Sequence, residues 1–574
     1  MTRGTLPAAL LGAALAFALA ALIGWTVIAR ADNRRLPPDA GPFARAVDLT
    51  PLDRTAVHSE GRIKSFDSFA QETLAFISGP RRAADLPPDF LYLDMLFRPE
   101  RYADAPVIHL KHKPMRAQLG AALLAAGAID EDYARRFESD GRLEPTLFEH
   151  PAAGALMRTW ANDLVRTAKH VNGVGNALSL LMPQSLLEQL RMIPPPSRSA
   201  EAPWIALDEV WSLGGRFESP ASHADALAPR HRAALAAQMG ALAQAWRAED
   251  APGASAAIAE LSRLLPVSAE ALYPSRSRLT MESWYHKARH ATWLWLVYLL
   301  SLVFLLSSVA YQWDRARAIG IGAFVAALTL HTVALGWRWY VSGRWPNSNM
   351  FEAVTTSVWF GAVLAIALDL WARRTPMRGL FALTGAGASM AALMAAHFFP
   401  GQLNPSINNM MPILHDLWLY IHTNIVIASY ALIAMAAVTA LLYLVRRAFG
   451  GSPDYARAGG AAGIIDASDR RAPLGEVLDG ATMTLMELSF VMLWCGIFMG
   501  AIWADHSWGR PWGWDPKEVF ALNTFIVFLL LVHVRLKVKD KGLWTAILAV
   551  VGCGVMMFNW YVINFIISGL HSYA

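Results

Sequence analysis

The sequence predicts an all-α protein: a polytopic membrane helix bundle of about nine transmembrane helices, carrying a mostly helical soluble domain outside the membrane. Three observations lead there. The 574 residues are 55% hydrophobic and only 17% charged, with a mean hydropathy of +0.31. Apolar runs of spanning length recur from about residue 291 to near the C-terminus. Residues 36–285 are charged, contain proline and have no long apolar run. Together these values describe several membrane spans and one soluble part.

The elements follow in chain order. Residues 1–35 read as an N-terminal membrane anchor, with an apolar run over about 7–29. No clear A-x-A cleavage site follows it, so the expectation is an uncleaved anchor rather than a signal peptide. Residues 36–285 read as the soluble domain. Its segments 116–139, 154–169 and 223–248 are Ala/Leu-rich with helical spacing, and the region is large enough for its own core. Residues 286–574 read as an eight-span domain, with apolar runs at 291–311, 318–337, 351–371, 380–399, 418–445, 484–503, 519–536 and 543–567. Each is long enough to cross a bilayer as a helix, the form that satisfies its backbone internally.

Charge sets the orientation. One alternating set of loops holds Arg315 and Arg317, then Arg373, Arg374 and Arg378, then Arg446, Arg447, Arg457, Arg470 and Arg471, then Arg535, Lys537, Lys539 and Lys541. The other set holds only Arg338, Arg344, Arg510 and Lys517. The first set is expected on the cytoplasmic side. The loop at 503–518, the C-terminus and the 36–285 domain then lie outside. The first span must run from inside to outside, although Arg30, Arg34 and Arg35 follow it and only Arg3 precedes it. The later loops outweigh that local signal.

Composition also excludes some roles. A formal charge of +5 is small for this length and needs no nucleic-acid partner, since basic loops are expected on a membrane protein. The two cysteines, Cys495 and Cys553, both lie in apolar runs and form no C-x-x-C. The chain therefore has neither a dithiol redox motif nor a covalent cofactor-attachment site of its own.

The most informative stretch runs from Trp503 to Glu518, between two apolar runs. Trp503, Trp508, Trp512 and Trp514 fall within twelve residues, more than an interfacial aromatic belt needs. Such rings suit a flat apolar shelf for a large planar ligand, with charges at one edge. Heme fits that description. His422, near the outer start of its span, and His571, after the last span, lie on the same side. Two neutral imidazoles from opposite faces form an axial pair for heme iron, and Arg510 or Lys517 can meet the propionates. Each histidine taken alone also reads as an ordinary interfacial residue. His533 lies within a span, about 20 Å along its helix at 1.5 Å per residue. A polar side chain there marks a site or bonds to a neighbouring helix. His331 lies about 10 Å from the outer end of its run by the same rise, so its depth matches that of His533 imperfectly. Asp515, Pro516 and Glu518 also read as the start of the next helix, with Asp515 as N-cap and Glu518 closing a capping box.

Trp508-Gly-Arg-Pro-Trp512-Gly-Trp514-Asp515 resembles the WWD motif of heme-handling membrane proteins. The continuation Pro516-Lys517-Glu518 is similar to the CcsA (ResC) branch, the system II cytochrome c synthases. The segment from Arg338 to Glu352, the element Trp418-Leu-Tyr-Ile-His422, His533 and the terminal Gly569-Leu-His571-Ser-Tyr573 agree. The resemblance covers about 290–574. It implies that heme b is ligand and substrate, that His422 and His571 are external ligands flanking the shelf, and that His533 is a transmembrane ligand of the iron. It also implies a bacterial inner-membrane location and transfer of heme to the extracytoplasmic face. There the thiols of an apocytochrome c Cys-x-x-Cys-His motif add to the heme vinyl groups, so the implied activity is that of a cytochrome c heme lyase.

The chain departs from the family pattern at Asp505-His506 and Arg510-Pro511. The first span holds no histidine, so the second transmembrane ligand comes either from a CcsB (ResB)-like partner or from His331. The segment Gly61-Arg-Ile-Lys-Ser-Phe-Asp-Ser-Phe-Ala-Gln-Glu resembles external extensions of long CcsA-like proteins, and the 36–285 domain is expected to dock a partner or the apocytochrome. Two other readings stay open: a heme transporter or chaperone without ligation activity, and a b-type cytochrome subunit with permanent hemes. Formation of a covalent c-type product separates the synthase from both.

Overall fold

The computed structural model describes residues 5–32, 41–79, 86–164, 166–197, 202–212, 223–288, 293–407, 409–410, 414–456, 472–563 and 567. It divides into two compact units, Met1–Val27 with Ala288–Ala574, and Ile28–Lys287.

The first unit is built from helices: α1 (Thr5–Asp32), α2 (Trp295–Tyr311), α3 (Asp314–Ser342), α4 (Met350–Trp371), α5 (Leu380–Phe398), α6 (Leu417–Ala448), α7 (Leu474–Trp508), α8 (Pro516–Lys537) and α9 (Lys541–Phe558). A π-helical turn, Asn559–Ile563, extends α9. All but α2 are long and apolar enough to cross a membrane, and α2 is a shorter apolar helix. The chain is a multi-pass membrane protein, and the all-α expectation holds.

Two ends of this bundle are distinct. The arginine-rich end gathers the start of α3, the α4–α5 connection, the end of α6 and the start of α9. The tryptophan-rich end gathers the end of α3, the start of α6 and the α7–α8 connection. Ala9 and Gly12 of α1 lie against Gly322 and Ile319 of α3, while Gly24 faces Trp293. So α1 runs parallel to α3, from the arginine-rich end to the tryptophan-rich end. A Cβ at Gly12 or Gly322 would strike a backbone carbonyl of the facing helix. Small residues are what permit this close approach, because between helices in lipid packing replaces the hydrophobic drive.

Helix α6 is the centre. Of its most apolar window 67% is buried, against 17% for α1 and 18% for α8 at the periphery. Hydroxyl and amide side chains pair between helices: Thr482 with Thr439 at 2.8 Å, Asn559 with Tyr430 at 2.9 Å, and Ser357 with the Ile427 carbonyl at 2.7 Å. Each pairing spares a polar atom from hydrocarbon. At the arginine-rich end, Arg535 donates to both carboxylate oxygens of Asp479, at 2.8 and 2.6 Å. It also donates to Thr545 and to the Ala456 carbonyl. One buried ion pair thus joins α7, α8, α9 and the segment after α6.

The second unit is a helical domain around Trp246, whose ring meets Phe43, Phe90 and Phe97. Asp94 accepts from Trp246 Nε1 at 2.8 Å and from the Tyr102 hydroxyl at 2.6 Å, and it pairs with Arg98. The domain also holds an antiparallel hairpin, Ala56–Ser59 with Arg62–Ser65, which helical periodicity did not predict. Glu60 and Gly61 turn it, both at positive φ (51° and 72°), the geometry that matches strand twist. The 61–72 segment singled out in the sequence supplies charge to the domain's own interior. Arg62 pairs with Glu282 at 2.6 Å, Lys64 with Glu72 at 2.6 Å, and Asp67 with Lys287 at 3.4 Å.

Burial holds His109 down to about 4, helped by the nearby cations Arg116, Arg142 and Lys111. Burial also lowers His58, His170 and His231. The folded domain therefore prefers neutral imidazoles. The contribution of His109 to stability is complete above the ordinary histidine value of 6.5 and is lost as pH falls toward 4, and the other three act in the same direction. Amide protection factors across 108–143 in the intact protein, corrected for the intrinsic pH dependence of exchange, should fall over that interval. The fall should be shallower in His109→Gln, and an unchanged profile in that variant would remove His109 from the effect.

Candidate functional site

The site grows from the seam between α6 and α7. Asp416 caps α6, accepting from Trp418 N and Leu419 N at 2.7 and 3.2 Å. His422 follows within two turns and points at α7. Its Nδ1 lies 2.7 Å from the Gly496 carbonyl. A carbonyl can only accept, so Nδ1 carries the proton. In the neutral ring the lone pair is then on Nε2, the arrangement in which an outer hydrogen bond orients a metal-ligating imidazole. Gly500 leaves room for the ring: a Cβ there would come within 2.6 Å of His422 Cε1. Gly496 likewise admits Val426.

One turn beyond Gly500 the tryptophans begin. The sequence reading treats 503–518 as a loop, but α7 continues to Trp508 and ends at Gly509, whose φ is +68°. Asp505 and His506 are exposed on this last stretch, and His506 faces Trp418 across 6.3 Å. Trp503 is only 1% exposed and meets Trp508 at 4.8 Å and 64°. Trp512 and Trp514 meet at 6.1 Å and 87°. The flat shelf is therefore corrected to two tilted, edge-to-face pairs with Trp503 buried beneath Trp508.

Trp514 is presented outward, at 73% exposure. Glu518 Oε2 accepts from Gly513 N at 2.8 Å and from Asp515 N at 3.1 Å. That pinch forces Trp514 to φ +55°, a left-handed conformation costing a bulky L-residue about 1–2 kcal/mol. Asp515 caps α8 in a capping box with Glu518, and Lys517 N donates to Asp515. Asp515 is buried, and Lys517 and Glu518 are half-buried.

A second layer lies on the other flank of His422, and composition and spacing did not assign it. Glu352 has no exposure and accepts from Arg338 Nε at 2.9 Å and from Arg344 at 2.8 Å. It also accepts from the backbone and hydroxyl of Ser348. Arg338 reaches on to the Pro405 and Ser406 carbonyls. The loop so held delivers Trp345 to Asn424 (3.0 Å) and Asn347 to Thr423 (3.0 Å), the two residues after His422. The quoted Arg338 to Glu352 segment carried the only sequence signal for this clamp.

The remaining histidines fall elsewhere. His331 is buried, with Nδ1 3.2 Å from the Tyr298 hydroxyl of α2. His533 is exposed, its Nδ1 donating to the Leu529 carbonyl at 2.8 Å, on a helix that packs chiefly on α9 and α7. His533 stands four residues from the end of α8 at the arginine-rich end, whereas His331 is near the middle of α3. The structure does not bring these two together. His571 lies outside the described residues. Among the described residues no group of three or more His, Cys, Asp or Glu side chains forms a metal cluster.

Comparison with known proteins places these features in context. A family model described as cytochrome C assembly protein matches residues 347–571, from the loop under Glu352 through the tryptophans. CcsA, a cytochrome c biogenesis protein of Parasynechococcus marenigrum, is 30% identical over 275 residues, covering 46% of this chain and 88% of that protein. The same protein from Thermosynechococcus vestitus is 28% identical over 321 residues, covering 52% of this chain and 98% of the relative. Protein NrfI of Wolinella succinogenes is 26% identical over 534 residues, so the likeness extends through the second unit to 90% of this chain, and the chain spans 53% of NrfI.

Removing the Glu352 carboxylate leaves two guanidinium groups without it in a buried place. Glu352→Ala should destabilise the protein by about 3–5 kcal/mol, read as a lower unfolding temperature in detergent. An unfolding temperature equal to that of the native protein would show that the clamp does not hold this end together.

Proposed function

The chain belongs to the CcsA family of cytochrome c biogenesis proteins, and from that premise we propose that it holds heme b at the tryptophan-rich end and promotes its attachment to an apocytochrome c. His422 supplies one axial nitrogen. The observation that carries this reading is the Nδ1–H bond to Gly496, which fixes the tautomer and the ring direction before any ligand arrives. His571 supplies the opposing nitrogen. Trp508, Trp512 and the outward Trp514 grip the porphyrin edges and faces, while Arg510 and Lys517 meet the propionates.

The attachment step is an addition. Each thiol of a Cys-x-x-Cys-His motif adds its sulfur to one vinyl carbon and its hydrogen to the other, with no net oxidation. Holding heme and peptide together is then most of the catalysis, and the substrate histidine replaces one axial ligand. On this reading the tryptophan-rich end is extracytoplasmic, and the membrane is the inner membrane of a bacterium.

A CcsB-like subunit is the natural source of a partner for His533. An imidazole on the lipid-facing side of α8 is costly unless another group meets it, and its exposure supports a partner chain over His331, which is already enclosed with Tyr298. The soluble domain, shared in extent with NrfI, is proposed to receive the apocytochrome or a partner.

The absorption spectrum of the detergent-purified protein tests the ligand set. The native protein should show six-coordinate heme, and His422→Ala and His571→Ala should each convert it to five-coordinate or empty protein. Gly500→Ala, which crowds the imidazole, should weaken the same signal while the fold persists. Coexpression with an apocytochrome c should give a covalent product only when both histidines are present. A six-coordinate spectrum unchanged in His422→Ala would overturn the assignment.

A further inference from the structure

The arginine-rich end contains a cavity that the heme reading leaves unused. It encloses about 310 Å³ between the start of α3, the α4–α5 connection and the start of α7. Arg317, Arg373, Arg374 and Arg378 line it, with Thr375 and Leu474. Among the described residues, the ion pairs of these four cations all go to one carboxylate. Asp314 Oδ1 is shared by Arg317 and Arg378, each at 3.0 Å. The nearby Asp369 is committed elsewhere, accepting from the backbone N–H groups of Gly379, Phe381 and Ala382 at the start of α5. Arg373 and Arg374 make no ion pair among the described residues and are exposed. Among the described residues, the lining therefore carries an excess of guanidinium charge.

Exposed apolar residues adjoin the cavity's lining in the chain. Tyr311, Trp313, Leu370 and Trp371 flank it in the chain and are 67%, 58%, 60% and 49% exposed. Exposed aromatic rings at helix ends, beside lipid-facing apolar residues, mark the level of membrane headgroups. A soluble anion would need the guanidinium groups alone. A lipid would use both the charge and the apolar rim. Guanidinium forks bind phosphate oxygens in pairs, and basic pockets between membrane helices suit anionic headgroups.

We propose that this pocket binds the phosphodiester of an anionic phospholipid, with Arg373 and Arg374 as its principal contacts and the acyl chains lying along the Leu370–Trp371 rim.

The test uses the full chain, delipidated in neutral detergent. It is offered phosphatidylglycerol, phosphatidylcholine or inorganic phosphate, with retained lipid counted by native mass spectrometry and unfolding temperature measured in parallel. Phosphatidylglycerol should be retained and should raise the unfolding temperature, and phosphatidylcholine should do neither. Arg373→Gln with Arg374→Gln should cut retention about tenfold. Lys539→Gln, an exposed cation at the same end but off the pocket, should leave retention unchanged. Equal retention of the two lipids, or undiminished retention by the double variant, would overturn the proposal. So would an equal loss in Lys539→Gln, which would mean diffuse surface charge. Stabilisation by inorganic phosphate equal to that by phosphatidylglycerol would assign the pocket to free phosphate and overturn the lipid.

Discussion

A carboxylate without solvent, gripped by two guanidinium groups, fixes the tryptophan-rich end of the bundle. A lone charged Glu352 would be costly in that position, and so would an unpaired Arg338. Together the carboxylate and the two guanidinium groups satisfy one another's hydrogen bonds, leave a net charge of +1 and still have donors to spare. The spare donors of Arg338 capture the Pro405 and Ser406 carbonyls. The loop between Arg338 and Glu352 is thereby frozen against α6 beside His422. The orientation of the histidine thus depends on two unlike supports: the glycine-lined face of α7 on one side and a charge clamp on the other. Preorganisation of this kind is what a site needs when its work is to hold two large reactants in register.

The middle of the bundle follows different physics. Between α6 and α7 the seam is made by glycines and by hydroxyl pairs such as Thr482 with Thr439, because lipid offers no hydrophobic reward for helix association. The ends are locked by charge and the middle by shape. The peripheral helices α1 and α8 join through one such device each, the Gly12 contact with α3 and the Arg535 pair with Asp479, and the rest of their surface is mostly lipid-directed.

The spans were legible because a helix that crosses a bilayer must announce itself as a run of apolar residues. The limits of α7 were not. Asp505 and His506 look like loop residues in sequence, yet they are simply solvated positions on a helix that outruns its apolar segment and stops only at Gly509. The shelf was legible in composition but not in geometry, since ring angles depend on how Glu518 pinches the backbone around Trp514. The capping box at Asp515 was readable because it is local. The tautomer of His422 was not, because Gly496 is on another helix. The hairpin at 56–65 escaped for the opposite reason: its strands are short and the helical background around them is strong.

The two charge locks differ in how far apart along the chain their parts lie. Arg338 and Arg344 precede Glu352 by fourteen and eight residues, so that lock can close as soon as one helical hairpin has formed. Asp479 must wait for Arg535, and the assembled pair also takes in Ala456 and Thr545. During synthesis α7 therefore enters the membrane with a carboxylate whose cation does not yet exist. Asp479 stands within the first two turns of α7, where it can linger among headgroups until α8 arrives. The order of membrane insertion is thus written into the placement of one aspartate: the tryptophan-rich end can mature early, and the last three helices must seal together.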